Sequence, residues 1–280
     1  MEDLTGRLAV VTGGASGIGL AMAQRFAAEG MRILIGDIEP PALEAAVAAL
    51  AASGAEASGI VTDVGDGTSV QALADAAAAL GGAHVVCLNA GVGTGGLSWE
   101  LPVETWEWVL RVNLWGVVHG VRSFVPQLIA QDAGHLVATA SIAGLVAAPF
   151  MGPYNASKHG VVAIAETVHH ELAMSAPHVK VSVVCPGWVR TRIAESERNR
   201  PTDLAVEGDG GAGTAAVLQS LLDSGMEPTV VADKVLDAIR AERFWVLTHD
   251  DEADFWVDAV QRRLRSIGER TNPVLGFPPV

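Results

Sequence analysis

Apolar positions along this chain form two kinds of run: short continuous ones, and longer ones in which apolar residues recur three and four places apart. "RLAVVT" (7–12), "RILIGD" (32–37), "ASGIVTDV" (57–64), "HVVCLNAG" (84–91), "GHLVATAS" (134–141), "VKVSVVCPG" (179–187) and "FWVLTH" (244–249) are of the first kind. They are rich in β-branched residues and bounded by turn formers, which predicts seven strands. Between them lie segments of helical period. One runs from Ile18 to Glu29, and one from Pro41 to Ala52 with Leu43, Val47 and Leu50 on a single face. A third could be capped by Thr68 and carries Val70, Leu73, Ala77 and Leu80 in step. Others span 104–130 and 153–174, and two more flank the last strand. Strands apolar on both faces, alternating with helices, predict a doubly wound α/β fold: a seven-stranded parallel sheet with helices on both faces.

The rhythm breaks once, from Ala194 to Glu227, where "GDGGAG" cannot hold a stable helix. This stretch is expected to be a flexible lid over a substrate, and the proline-containing end, 271–280, a surface tail. Residues 1–280 otherwise read as one domain. Half the residues are apolar and 18% are charged, enough for a large core and too apolar for disorder. A net charge of −14 argues against nucleic acid or an anionic membrane as partner, because both need clustered cations. No run approaches the length of a bilayer span, and the acidic "MEDLTG" opening does not resemble a signal peptide. Cys87 and Cys185 sit in apolar runs and read as core thiols in a reducing compartment, so a cytoplasmic location is expected.

Ligands of doubly wound sheets bind beyond the carboxyl ends of the strands. The first such turn is "TGGASGIG", whose Gly13, Gly17 and Gly19 permit a tight turn, close approach of a pyrophosphate and packing of the next helix. Asp37 ends the second strand, where a carboxylate accepts hydrogen bonds from an adenosine ribose and repels a 2′-phosphate. No Arg or Lys stands at 14–18 or 38–41, so NAD is favoured over NADP. Asp63, in "TDVGDG", could accept from adenine or simply close a turn. Tyr154, the only tyrosine, precedes Lys158 by four residues on a helical segment, so both side chains share a face. A phenol is a poor acid or base at neutral pH, and a neighbouring ammonium and an oxidised nicotinamide would lower its pKa. Ser141, 13 residues upstream, could donate to the same substrate oxygen.

"TGGASGIG", "NAG" (89–91), Asn113, Ser141, "YNASK" and "PG" (186–187) occur in the order and spacing of the short-chain dehydrogenase/reductase family, which the chain resembles from about residue 5 to 250. The resemblance implies a Rossmann-type sheet and a catalytic tetrad of Asn113, Ser141, Tyr154 and Lys158. Tyr154 would exchange the proton and Ser141 hold the substrate oxygen. Lys158 would bind the nicotinamide ribose, and Asn113 would hold a water joining Lys158 to solvent. The resemblance further implies that Ser16 and Ile18 line the pyrophosphate beside Gly13, and that Val64 joins Asp63 at the adenine. Asn89, Ala90 and Gly91 would flank the cofactor, Pro186, Gly187 and Val189 would approach the nicotinamide, and Thr191 would reach its carboxamide. A homodimer or homotetramer is implied too.

Val92, Leu145, Met151, Trp188 and Met226 are the expected edges of the substrate pocket, and their apolar character points to a hydrophobic alcohol or ketone. A dinucleotide-sensing protein without turnover is the rival reading. No metal is expected: the histidines, His169 and His170 included, lack ligand spacing, and the acidic "HDDEAD" suits a helix start. Trp106, Trp108 and Trp115, in one helical stretch, are expected to pack.

Overall fold

In the computed structural model the first apolar run is an inner strand of the sheet. β1 (Leu8–Thr12) lies between β2 (Arg32–Asp37) and β4 (Val85–Leu88). With β3 (Ala57–Val61), β5 (Gly134–Thr139), β6 (Val179–Cys185) and β7 (Trp245–Leu247) they form one parallel sheet in the order β3-β2-β1-β4-β5-β6-β7. The structure describes residues 1, 3–206, 219–250 and 253–273. The helices are α1 (Gly17–Ala28), α2 (Pro40–Ala52), α3 (Gly67–Ala79), α4 (Val103–Leu110), α5 (Gly116–Ala130), α6 (Gly152–Ser175), α7 (Pro228–Arg240) and α8 (Ala253–Glu269).

The strands are continuously apolar because each feeds two cores. Successive strand residues point to opposite faces. Leu8, Val10, Leu34 and Val86 pack with Leu73 of α3, Phe124 of α5 and Val161 of α6. Ala9, Val11, Ile33 and Ile35 pack with Phe26 of α1, Leu50 of α2 and Ile239 of α7. β3 is an edge strand and does not follow the rule: Val61 is more than half exposed.

Five strands end earlier than the apolar runs that predict them, β7 at Leu247 among them. Asp63, Asn89–Gly91, Ser141 and Pro186–Gly187 leave the hydrogen-bonded ladder and become the loops at the carboxyl edge. The chain winds outward from β1 to β3 and returns to β4, so these loops gather around the point where strand order reverses, the place where such sheets bind ligands. Asp66, not Thr68, caps α3: its carboxylate accepts the Thr68 amide at 2.9 Å. The stretch 104–130 is not one regular helix. A π-helical turn, Arg111–Trp115, joins α4 to α5, and such turns are often found at functional sites.

Within the expected lid, Ile193–Asn199 and Thr202–Leu204 form 3₁₀ turns. "GDGGAG" lies outside the described residues, as does most of the expected tail. Among the described residues no helix is long and apolar enough to cross a membrane. Trp108 is buried in the core, whereas Trp115 is largely exposed, contrary to the packing expected of it, because the π turn carries it outward. His169 packs its ring 4.9 Å from that of Phe244.

Candidate active site

The glycine turn connects β1 to α1. Gly13 and Gly17 have φ of +62° and +53°, where a side chain is strained. Both also face close neighbours. A methyl at Gly13 would lie 2.8 Å from Ala90 Cα, and one at Gly19 would lie 2.1 Å from the Gly13 carbonyl oxygen. Asn89 locks this packing, its side-chain amide donating to the Thr12 and Gly13 carbonyls at 3.1 and 3.3 Å while accepting from Thr139 Oγ1 at 3.2 Å. The Ser16 side chain makes no cap, so the first amides of α1 are left to face the pocket.

Asp37, buried at the end of β2, accepts the Ala15 amide at 2.9 Å and the Glu39 amide at 3.1 Å. The carboxylate and the glycine turn therefore fix one another. Asp63 follows both of its readings: its carboxylate closes a turn on the Gly65 amide at 2.8 Å and lies 3.4 Å from Arg111, while the residue also lines the pocket.

Tyr154 and Lys158 project from the first turns of α6 and are buried. Lys158 Nζ donates to the Thr139 carbonyl at 2.9 Å and lies 5.6 Å from the centre of the Tyr154 ring. Burial pulls its ammonium down to about 8. Burial pushes the Tyr154 phenol up, and the opposing influence comes from the Ser141 side chain rather than from Lys158. Desolvation outweighs the Ser141 hydrogen bond, and the lowering expected from the ammonium is not found. Ser141 begins a 3₁₀ turn (Ile142–Gly144), its hydroxyl donating to the Pro186 carbonyl at 3.3 Å and accepting the Ala143 amide at 3.1 Å.

Asn113 sits in the π turn, buried behind the pocket rather than lining it. Its amide pairs with both backbone groups of Val92, accepting at 2.8 Å and donating at 3.0 Å, and donates to Ser157 Oγ at 3.2 Å. Ser157 in turn donates to the Tyr154 carbonyl at 2.7 Å. Asn113 therefore ties the β4 loop to the start of α6. Gly91 separates it from Lys158: a methyl there would lie 3.4 Å from Asn113 Oδ1 and 3.5 Å from Lys158 Nζ.

One pocket collects most of the residues named from the sequence. Gly13, Ser16, Gly17, Ile18, Asp37, Asp63, Val64, Asn89, Ala90 and Gly91 line it, as do Ser141, Tyr154, Lys158, Pro186, Gly187, Val189 and Thr191. Gly19 packs behind the turn. Of the five expected substrate edges, Val92, Met151 and Trp188 line the pocket, and two do not. Leu145 ends the 3₁₀ turn and packs against the α6 side of the core. Met226 forms a β-bridge with Val189, its backbone exchanging hydrogen bonds with Trp188 and Arg190, and packs into the opposite core.

Sequence reasoning missed two contributors and named no single residue of a third, the turn that opens the expected lid. Trp256, from α8, lines the pocket from far along the chain. His249 supports the β6 loop from beneath, with Nδ1 3.3 Å from the Gly187 amide and Nε2 3.1 Å from the Trp188 carbonyl. The 3₁₀ turn at Ile193–Asn199 crosses the mouth. It is tied to the β4 loop where Ser196 Oγ accepts the Gly93 amide at 3.1 Å, and to the β2 end by ion pairing between Arg198 and Glu39 at 2.8 Å. No local pattern marks Trp256 or His249, since each depends on residues brought together from distant positions.

The cradle fits a dinucleotide. Glycines let the β1–α1 turn pack tightly on Ala90 and on itself, the start of α1 lines the pocket with amides that no side chain caps and that would suit a diphosphate, and the buried Asp37 carboxylate at the end of β2 would suit a ribose. The family model described as short chain dehydrogenase matches residues 7–202. A CLA biosynthesis dehydrogenase/reductase of Lactiplantibacillus plantarum is 32% identical over 270 residues, covering 94% of each chain. A 1-deoxy-11-beta-hydroxypentalenate dehydrogenase of Streptomyces avermitilis is 38% identical over 252 residues, or 87% of this chain and 84% of that one. The crystal structure of a short-chain dehydrogenase/reductase from Burkholderia phymatum in complex with NAD is 42% identical and matches with a TM-score of 0.94 over the whole of both chains.

Proposed function

The chain belongs to the short-chain dehydrogenase/reductase family, and from that premise we propose that Tyr154 is its proton-exchanging residue, with Ser141, Lys158 and Asn113 in support. The protein is an NAD-linked oxidoreductase acting on CH–OH groups, not a binder that has lost its chemistry. Bound NAD supplies the hydride acceptor for alcohol oxidation and, reduced, the donor for carbonyl reduction. Tyr154 takes the hydroxyl proton as the C–H pair leaves with its electrons, and returns it in the reverse direction. Ser141 donates to the substrate oxygen, and the Lys158 ammonium binds the ribose next to the nicotinamide. Asn113 acts from behind by holding the Val92 peptide and the start of α6.

The single observation that carries this reading is that Ser141, Tyr154 and Lys158 come together in one pocket that Asp37 also lines. The buried acidic end favours NAD over NADP. Apolar walls of Val92, Met151, Trp188, Leu222 and Trp256 favour a hydrophobic secondary alcohol or ketone, and the name of the Streptomyces relative supports a hydroxyl as the group oxidised. The stretch 194–227 is read as a substrate lid, since Ser196 and Leu222 border the pocket. Exposed Trp115 on the π turn and Met174 on α6 favour pairing of copies into a dimer or tetramer, and two buried free thiols favour the cytoplasm.

Tyr154→Phe tests the proposal. The variant should bind NADH as the parent does and lose turnover of a hydrophobic alcohol panel by at least about a thousandfold. Retained turnover would overturn it.

A further inference from the structure

We propose that Glu39, and not Asp37 alone, makes this site refuse a 2′-phosphorylated dinucleotide, by holding Arg198 and Asn199 on one carboxylate oxygen. The inference rests on the reading of the pocket as a dinucleotide site. Glu39 stands two residues beyond Asp37 and is bonded to it through its own backbone amide at 3.1 Å. Asp37, Glu39, Arg198 and Asn199 all line the same pocket.

Glu39 Oε1 accepts Arg198 Nη2 at 2.8 Å, Arg198 Nε at 3.1 Å and Asn199 Nδ2 at 2.9 Å. Arg198 Nη1 donates to the carbonyls of Glu195 and Arg192, at 2.8 and 3.2 Å. Both edges of the guanidinium are thereby engaged. Arg192, the other arginine lining the pocket, is paired with Glu195 at 2.8 Å. The Arg198 contact holds the Glu39 carboxyl below its ordinary value, so the carboxylate stays charged.

Phosphate is recognised by a planar guanidinium with free donors, and the side chain suited to that task at this end of the pocket is Arg198. Asp37 cannot mask it, because its own oxygens are turned to the Ala15 and Glu39 amides. Glu39 does so. It also adds a second negative charge beside Asp37, which a 2′-phosphate would have to approach. Substituting Asp37 alone leaves Arg198 engaged, whereas neutralising Glu39 frees its fork.

The test is calorimetric binding of adenosine 2′,5′-bisphosphate and of ADP to the parent, Glu39→Gln, Arg198→Gln and the double variant, with NADH binding followed alongside. Glu39→Gln should improve affinity for the 2′-phosphorylated ligand relative to ADP by about tenfold or more. In the double variant that gain should vanish. A ratio unchanged within about twofold in Glu39→Gln, while NADH still binds, overturns the proposal, as does a gain that survives loss of Arg198. A parent that binds neither ADP nor NADH would overturn the dinucleotide reading itself.

Discussion

Replacing Lys158 by methionine removes a charge that the fold holds at a cost. The side chain is 3% exposed, and burial pulls its ammonium from 10.5 down to about 8. At 1.36 kcal/mol for each unit, burying the charged form costs about 3 kcal/mol at pH 7. Methionine keeps the length and apolar stem but loses the bond to the Thr139 carbonyl, a charge-assisted contact worth about 1.5–3 kcal/mol. The two nearly offset, and Lys158→Met should be more stable than the parent by about 1 kcal/mol at pH 7, or about 2 °C in Tm. The pH dependence is the sharper test. Because the folded value lies below the unfolded one, the unfolded chain binds more protons between pH 8 and 10.5, and parent stability rises with pH across that window. By pH 10 the parent should have gained about 2.5 kcal/mol relative to the variant, reversing their order. Guanidinium unfolding of both proteins at pH 7 and pH 10 measures this. A difference that stays flat between the two would refute the picture of Lys158 as a desolvated cation.

Ser141→Ala removes the influence that opposes the rise of the Tyr154 phenol, so the pH limb for alcohol oxidation should move to higher pH and kcat should fall by about a hundredfold. Gly19→Ala places a methyl 2.1 Å from the Gly13 carbonyl oxygen, and NADH affinity measured by fluorescence should collapse together with a loss of about 1–3 kcal/mol in stability. His249→Leu leaves the Gly187 amide and Trp188 carbonyl without their ring partners, so the KM for substrate should rise while binding of ADP at the far end of the pocket is unchanged. Parallel losses of ADP and substrate binding would instead mean a general loss of fold.

Most of the sheet was legible because the five inner strands are buried with apolar residues on both faces. Their ends were not, since "NAG", "CPG" and "ATAS" continue the apolar composition after the hydrogen-bonded ladder has stopped. The π turn left no mark either: Arg111–Trp115 keeps a helical pattern, and only the side-chain bonds of Asn113 to Val92 and Ser157 reveal what it positions. That Gly13, Gly17 and Asp37 line one pocket could be read because glycines in a turn and a strand-end carboxylate are local signals. Pocket edges were harder. Leu145 and Met226 are apolar and near the site in sequence, yet backbone pairing turns Met226 into a core, and Leu145 packs behind the 3₁₀ turn. Glu39 and Arg198, 159 positions apart, carry no shared pattern at all. The phenol's titration was also beyond reach, because desolvation depends on packing that composition does not report.

Tyr154 is the only tyrosine in the chain, so its phenolate absorbance, taken as the difference between the parent and Tyr154→Phe, titrates one group alone. Without added NAD the titration should lie above the ordinary value near 10, because burial dominates. With saturating NAD the positive nicotinamide should favour phenolate, and the titration should move below that value, toward the pH at which turnover begins. A phenol that titrates at the same pH with and without NAD would contradict its role as the proton-exchanging residue.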